Sequence, residues 1–238
     1  MDDDTPRALI IGGGSGIARA LIRSLLDDDF EVVVGSRHPE RTTSAFGTET
    51  GDRLRVIRVD LADESSVAAA ADLGPFDAVV SFAAAHANGP VAELERTAIA
   101  AAFDAKVVGP LLLAKHLASR IRPHGVLVLF SGVAAWKPSA GLTVMATTNG
   151  AVAFLAEALA VELAPVRAVA VSPGIIDSGA WDDMGDEKKA AMFADVASSN
   201  PAGRVGAVDD IVSAVRFAMG NTFVTGTTLH IDGGGRLA

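Results

Sequence analysis

The chain has no cysteine and no tyrosine, and only 5% of its 238 residues are aromatic. Without cysteine it can form no disulfide, no thiol nucleophile and no cysteine-ligated metal site. Without tyrosine, no phenol is available to exchange a proton with a substrate. Basic residues are also few, and the net charge of −9 argues against a nucleic-acid or anionic-membrane surface.

Targeting and membrane signals are absent as well. The N-terminus, MDDDTPR, is acidic, unlike the basic start of a signal peptide. No uninterrupted apolar run reaches the roughly 18–20 residues that span a bilayer. We therefore expect a soluble cytoplasmic protein with a small-molecule substrate and neither nucleic acid nor membrane as a partner. No cluster of metal-ligating residues stands out, so we expect no metal.

Short β-branched runs alternate with helical stretches rich in Ala and Leu, which predicts a doubly wound parallel sheet of seven strands with helices on both faces. The predicted strands are 7–12, 31–36, 54–60, 76–82, 125–131, 166–172 and 227–231. The predicted helices are 16–27, 39–47, 64–72, 93–120, 147–164 and 208–219. No linker or repeat interrupts this rhythm, and we expect one domain, 1–238.

Residues 178–200 depart from the pattern, because SGAWDDMGDEKKAAMFADVASSN is polar, contains glycine and is only partly helical. Parallel sheets bind ligands at the carboxyl ends of their strands. We therefore predict that this segment is a substrate lid, to which Trp181 and Met184 contribute apolar side chains. The alternative is a solvated surface insertion.

The first strand leads directly into a glycine-rich turn and then a helix. Glycines at this point allow a tight turn and a close approach of the backbone to a pyrophosphate, which the helix N-terminus also attracts. The sequence therefore predicts a dinucleotide site. Its predicted residues in this loop are Gly12, Gly14, Ser15, Gly16 and Ile17.

The second strand ends in Ser36 and Arg37, where an NAD site usually has an acidic residue for the ribose 2′-hydroxyl. A guanidinium instead suits the 2′-phosphate of NADP. This ending therefore predicts NADP(H), unless Arg37 is merely an exposed arginine. Asp60, at the end of the third strand, is predicted to bind the adenine amino group, and Leu61 beside it is also predicted to bind the cofactor.

These features, in this order, resemble the short-chain dehydrogenase/reductase family over nearly the whole chain. The family's TGxxxGxG loop appears as IGGGSGIA, and its Asn-Asn-Ala-Gly motif appears degraded, as SFAA at 81–84. Its Pro-Gly motif is present in SPGIIDS, at 172–178. The resemblance implies a Rossmann-type NADP-dependent oxidoreductase that forms a homo-dimer or homo-tetramer. It adds these cofactor-binding residues: Ala83, Asn149, Pro173, Gly174, Ile176 and Ser178.

Family enzymes use four catalytic residues, Asn, Ser, Tyr and Lys, and the resemblance implies that this chain has replaced all four. Alignment of the helix AVAFLAEALAVELAP with the family's catalytic helix fixes the register. The Asn, Ser, Tyr and Lys positions then fall on Lys106, Gly132, Met145 and Asn149.

Three residues are candidates for the missing chemistry. Lys106 stands where the family has Asn and Asn149 where it has Lys, so an amine from the neighbouring helix is a candidate for the same ribose. The alternative is an amphipathic lysine whose ammonium reaches water. Ser131, beside Gly132, is a candidate for the serine role. His86 follows the fourth strand and has the pKa range of an acid–base group, unless it is only an exposed loop histidine.

The sequence therefore favours an atypical oxidoreductase that transfers hydride to a small apolar or conjugated substrate without the usual Tyr-Lys proton donor. Two alternatives stay open. One is a non-redox enzyme on the same scaffold, such as a dehydratase, cyclase or isomerase. The other is a non-catalytic protein that senses the cofactor or binds a partner.

Overall fold

A seven-stranded parallel sheet forms the centre of the molecule in the computed structural model, which describes residues 5–14, 16–47 and 51–238. The strands are β1 (Arg7–Ile11), β2 (Glu31–Ser36), β3 (Leu54–Arg58), β4 (Phe76–Ser81), β5 (Ile121–Phe130), β6 (Arg167–Pro173) and β9 (Thr227–Ile231). Their order is β3-β2-β1-β4-β5-β6-β9. A separate pair, β7 (Ile176–Asp177) and β8 (Gly206–Ala207), is also parallel.

Helices cover both faces of the sheet. They are α1 (Gly16–Asp27), α2 (Pro39–Phe46), α3 (Glu64–Ala70), α4 (Arg96–Phe103), α5 (Gly109–Leu117), α6 (Thr143–Glu162), α7 (Asp186–Ser199) and α8 (Val208–Gly220). Side chains alternate along each strand, so Ala8 and Ile10 pack with α1 and α8, whereas Leu9 and Ile11 pack with α3, α5 and α6. Burial on both faces explains why the strands are almost uniformly apolar.

This architecture confirms the predicted fold class, and the differences lie at the ends of elements. β5 begins at Ile121 rather than at 125, and α6 begins at Thr143 rather than at 147. The helix predicted for 93–120 is interrupted. α7 lies inside the segment that was predicted to be only partly helical.

The interruption is a π-helical turn, Asp104–Val108, between α4 and α5. Pro110 has no N–H and cannot donate to the carbonyl four residues earlier, that of Lys106. The N–H of Gly109 instead reaches the carbonyl of Asp104, five residues back. A side chain at 109 would meet Leu61 Cδ1 at 2.5 Å, so the turn packs closely against the loop after β3.

Two helical stretches, 96–120 and 143–162, are long and apolar enough to cross a membrane by length and composition alone. A search for uninterrupted apolar runs in the sequence does not find these stretches, because a few polar residues break each of them. In the structure, α5 and α6 pack one face on the sheet, with Leu113, Leu117 and Leu159 in the core. Helices in the core of a soluble protein can have the same length and composition, so these two properties are weak evidence for a membrane span.

Arg167, at the start of β6, is 4% exposed. It links β5 to the end of α8 and to the segment that follows α8. Among the residues that the structure describes, its guanidinium donates hydrogen bonds only to backbone carbonyls, at distances of 2.6–3.0 Å. The acceptors are His124, Ala218, Met219, Asn221 and Val224. Several of them end α8, where the helix dipole favours a cation.

Arg167→Met should lower the free energy of unfolding by about 2–4 kcal/mol, because it leaves buried carbonyls without donors. Urea denaturation followed by circular dichroism measures the change. Arg53→Met is the matched control: Arg53 binds Asp29 and the Leu26 carbonyl at the surface and should cost less than about 1 kcal/mol. Equal losses for the two variants would contradict the assigned role of Arg167.

Candidate cofactor and active site

A cleft of about 470 Å³ opens at the carboxyl ends of β1, β2, β3 and β4. From β1, the sheet extends through β2 and β3 on one side and through β4 and β5 on the other. Doubly wound sheets bind ligands at the point where the strand order reverses in this way. Gly12 has a φ of +89°, a conformation that favours glycine, and both Gly12 and Gly14 line the cleft. The free N–H groups at the start of α1 follow directly. The predicted Ser15 lies outside the described residues.

The chain after β6 lies directly on this glycine loop. A Cβ on Gly16 would be 2.3 Å from the carbonyl oxygen of Ser178, so only glycine allows the two backbones to meet. Gly174 has a similar relation to the Asp232 backbone, with a Cβ distance of 2.7 Å. The structure thus places Ser178, a predicted cofactor-binding residue, beside the predicted glycine loop. Ile176, also a predicted cofactor-binding residue, is buried.

The end of β2 forms a cationic end of the cleft. Ser36 and Arg37 line it as predicted, together with His38 and Arg41, which the sequence reasoning missed. Ser36 Oγ accepts hydrogen bonds from His38 N (3.1 Å) and from the Thr42 hydroxyl (2.7 Å), so its own hydrogen can point elsewhere. Among the described residues, no partner is found for the exposed guanidinium groups of Arg37 and Arg41.

A second wall of the cleft consists of Asp60, Leu61 and Ala83, all of them predicted. Asp60 accepts a hydrogen bond from the N–H of Ala62 at 3.1 Å, and one of its oxygens lies 3.9 Å from Arg58. The signal that would have found Arg41 is the sequence RHPER: Pro39 starts α2 and places a second arginine in its first turn.

Lys106 is buried, at 7% exposed, and its ammonium does not reach water. Nζ donates hydrogen bonds to the carbonyls of Phe130 (2.7 Å), the last residue of β5, and Ser131 (3.3 Å), the first residue of the loop that follows. Burial lowers the pKa of Lys106 to about 8. This geometry excludes the alternative of a solvated amphipathic lysine.

Asn149 and Gly132 are in contact at the same place. Asn149 is 3% exposed, and a Cβ on Gly132 would lie 2.7 Å from its Nδ2. Ser131 is also buried, and its hydroxyl donates to the backbone carbonyl of Asn149 at 2.7 Å. That hydroxyl has no second hydrogen to offer a substrate, although its lone pairs can still accept.

Two further predicted positions are Met145 and His86. Met145 is half-buried in the first turn of α6, and His86 is only partly exposed in the loop after β4. Partial burial, followed by the positive charge of Lys106, lowers the pKa of His86. The imidazole is therefore within electrostatic range of the buried ammonium.

The predicted lid, residues 178–200, contains α7, none of whose residues is buried. Trp181 is held near the start of this segment, because its Nε1 donates a hydrogen bond to the Ile176 carbonyl at 3.0 Å. Lys189 binds Asp177 at 2.8 Å and Asp182 at 2.7 Å, and these hydrogen bonds raise the pKa of Lys189. The helix is thus anchored at one end and exposed along its length, and the lid remains a prediction.

A second groove lies away from the cleft. Trp136, in the loop after β5, packs its ring edge-on against His230 of β9, with centroids 4.4 Å apart. The two line a separate groove between α6 and β9 that also contains Phe154. Among the described residues, no group of three or more His, Asp or Glu could hold a metal ion.

A parallel sheet with this strand order, a glycine loop before α1 and a cationic end of the cleft defines a nucleotide-binding protein of the Rossmann type. The family model described as enoyl-(acyl carrier protein) reductase matches residues 12–235. L-xylulose reductase from Bos taurus is 30% identical over 241 residues, 96% of this chain and 95% of the relative. Short-chain reductase protein NovJ from Streptomyces niveus is 29% identical, over 95% of this chain and 92% of the relative.

A small-chain dehydrogenase solved in complex with NADPH superimposes with a TM-score of 0.85 at 34% identity, covering 99% of this chain and 100% of that one. The chain belongs to the short-chain dehydrogenase/reductase family. The cofactor class predicted from Arg37 agrees with the NADPH bound to this structural relative.

The buried Lys106 should make the protein more stable as the pH rises from 8 to 10. The folded state gives up this proton near pH 8, whereas the unfolded chain keeps it until about pH 10.4, so the unfolded state binds more protons in between. The free energy of unfolding should therefore increase by roughly 2 kcal/mol across this window. The absence of Cys and Tyr leaves few other groups that titrate there.

Lys106→Met should flatten this rise, and Lys137→Met, at an exposed loop lysine, should leave it intact. Urea denaturation at closely spaced pH values makes the comparison. If the wild-type protein and Lys106→Met show the same slope, Lys106 is not a desolvated amine.

Proposed function

We propose that the protein is an NADP(H)-dependent oxidoreductase that acts on a small substrate. The observation that carries the proposal is the cationic end of the cleft, where β2 ends in Ser36 and Arg37 rather than in an acidic residue and Arg41 lies on the same wall. Guanidinium groups bind a 2′-phosphate through charge-assisted hydrogen bonds. The NADPH bound to the related small-chain dehydrogenase supports the same choice.

The residues along the cleft fit the rest of a dinucleotide. A Cβ on Gly14 would meet no protein atom within 4 Å, so the loop is open on the side where a pyrophosphate would lie. Asp60 and Leu61 would hold the adenine. The nicotinamide half would contact Asn149, Ser178 and these further residues: Ala83, Pro173, Gly174 and Ile176. When bound, the cofactor supplies or accepts a hydride.

Reduction of a carbonyl also requires a proton for the substrate oxygen, and the chain has no tyrosine phenol to donate it. Met145 takes the place of the family's tyrosine, which makes this side of the site apolar. Lys106 is a cation next to the end of β5, and the pKa of about 8 lets it hold a proton at neutral pH and release it just above. We assign to Lys106, with His86 nearby, the role of proton source and electrostatic stabiliser. Ser131 has the weaker claim, because its hydrogen is already bound to Asn149.

Such a site favours a substrate that depends little on a proton donor. Hydride addition to a simple ketone leaves an alkoxide, which is a poor intermediate unless it is protonated at once. A conjugated enone or a quinone leaves a delocalised anion, and an iminium leaves a neutral amine. We therefore propose an apolar, conjugated or iminium substrate that enters beneath the lid, residues 178–200.

A screen of NADPH oxidation tests this function. Ketones, enones, quinones and iminium salts are offered with NADPH, loss of absorbance is followed, and products are identified. We expect conversion of conjugated or iminium substrates at rates well above those of simple ketones. With Lys106→Met, the rate should fall about 100-fold, the low end of a general acid–base contribution.

Each other outcome supports a different alternative. Substrate conversion without any change in NADPH would support a dehydratase, cyclase or isomerase. Tight NADPH binding without conversion of any substrate class would support a non-catalytic sensor or partner-binding protein. Efficient reduction of simple ketones would contradict the proposed substrate class.

Arg37→Ala should weaken NADPH binding about 10–100-fold and change NADH binding less than about twofold, because the guanidinium pairs only with the 2′-phosphate. Arg41→Ala should act in the same direction. Arg55→Ala, at an exposed arginine on β3 outside the cleft, is the control and should change neither. Quenching of intrinsic tryptophan fluorescence or calorimetry gives the dissociation constants. Equal weakening of both dinucleotides would remove the 2′-phosphate assignment.

Large apolar side chains on the outer faces of α5 and α6 support the proposed homo-oligomer. Leu111 is 45% exposed, Phe154 is 73% exposed and Val161 is 83% exposed. Faces of this kind are typical of surfaces that a second copy of the chain covers. Light scattering of the purified protein gives the number of subunits, and a monomer at micromolar concentration would refute the assignment.

A further inference from the structure

The side chain of Lys189, in the first turn of α7, joins two carboxylates from the segment before the helix. Its Nζ lies 2.8 Å from Asp177 and 2.7 Å from Asp182. It also lies 5.3 Å from the centre of the Phe193 ring, within the range of a cation–π contact. The side chain of Lys189 is 22% exposed, whereas both carboxylates are more than half exposed. We call Lys189, Asp177 and Asp182 the Lys189 cluster, and the shielded ammonium is its centre.

The charges around this cluster make the ammonium important for holding the segment together. Residues 178–200 contain five carboxylates but only two cations, Lys188 and Lys189. Among the described residues, no partner is found for Lys188. Asp177 and Asp182 share a single cation, so its removal would lose two attractions and leave two like charges facing each other.

The N-terminal end of α7 has little else to attach it. None of its residues is buried, so no apolar face packs the helix onto the sheet. The chain just after the helix is held separately, because the N–H of Ala202 donates to the Gly233 carbonyl at 2.9 Å. Among the described residues, Lys189 is the one α7 side chain that forms an ion pair or hydrogen bond with a residue outside the helix. Its loss would therefore free one end of α7 and leave the other in place.

The Lys189 cluster connects this helix to the cofactor cleft through Asp177. The backbone of Asp177 is fixed, because β7 pairs with β8 and places Asp177 opposite Ala207. The next residue is Ser178, whose carbonyl oxygen lies directly against Gly16 at the end of the glycine loop. Lys189 thus joins a weakly attached helix to a firmly held strand that leads to the wall of the cleft.

We propose that Lys189 is a positioning residue: by binding Asp177 and Asp182 it keeps the lid, residues 178–200, closed on bound NADP(H) and slows its release. The inference rests on the proposed function, because it takes NADP(H) as the bound molecule. The adenosine end of the cleft, with Arg37 and Arg41, lies outside the Lys189 cluster. The effect should therefore fall on a ligand that extends to Ser178 and should spare one that stops at the adenosine.

The release rates of two ligands test this role. NADPH occupies the whole cleft, whereas adenosine 2′,5′-bisphosphate occupies only the adenosine end. Lys189→Gln should speed NADPH release about 3–10-fold, as expected for the loss of two partly exposed ion pairs, and change release of the bisphosphate less than about twofold. Lys189→Arg should restore slow release, because a guanidinium keeps the charge and can bind both carboxylates. Stopped-flow displacement of each ligand by an excess of the other, followed by NADPH fluorescence, gives the rates.

Salt provides a second readout that loss of packing alone would not change. Raising NaCl from about 0.05 to 0.5 M should speed NADPH release more in the wild-type protein than in Lys189→Gln, because only the wild-type protein has the cluster to be screened. Screening at the 2′-phosphate is common to both proteins and cancels in the comparison. Lys188→Gln is the matched control: it makes the same charge change one residue away and should behave as the wild-type protein does.

Limited digestion with chymotrypsin tests the attachment of α7 without any cofactor. Cleavage after Trp181 or Phe193 should be faster in Lys189→Gln than in Lys188→Gln, and equal rates would overturn the inference. Equal acceleration of both ligands by Lys189→Gln, or the same acceleration by Lys188→Gln, would overturn it as well. If the wild-type protein binds both ligands but Lys189→Gln releases NADPH at the wild-type rate, this inference fails alone. If the wild-type protein binds neither ligand, the proposed function fails and the inference fails with it.

Discussion

The hydrogen bonds from the buried ammonium of Lys106 to the carbonyls of Phe130 and Ser131 are the contact around which the candidate active site is arranged. An ammonium that leaves water needs acceptors, and these carbonyls supply them. The π-helical turn at 104–108 carries the lysine, and the missing N–H of Pro110 explains why the helix departs from α geometry there. A helix irregularity thus coincides with a cation beside the end of β5.

Most of the fold could be predicted from the sequence, because the signals that define it are local. Apolar runs such as EVVVGS describe strands that are buried on both faces, and the glycines after β1 mark a turn into a helix. The place of Arg37 at the cationic end of the cleft was predictable for the same reason. Arg37 follows directly on β2, so its place in the fold is fixed by its neighbours in the chain.

The candidate active site was predictable only in part, because its contacts join residues that are far apart in sequence. Lys106 reaches Phe130 across 24 residues, and no local pattern distinguishes that burial from a solvated amphipathic lysine. Gly132 looks like an ordinary loop glycine until the carboxamide of Asn149 is seen to fill its side-chain volume. The early start of β5 and the position of Trp136 against His230 likewise depend on packing across the sheet.

On the proposed function, a site without tyrosine stabilises the transition state by electrostatics rather than by donating a proton from a phenol. A phenol would protonate an oxygen as the hydride arrives, whereas a buried ammonium favours negative charge near it without reorganising. Its influence is strong because Lys106 is desolvated, and Met145 removes the competing polar group. A substrate whose charge is delocalised or cancelled by hydride addition needs no more than this. On that proposal, the changes at positions 106, 132, 145 and 149 belong to a single adaptation.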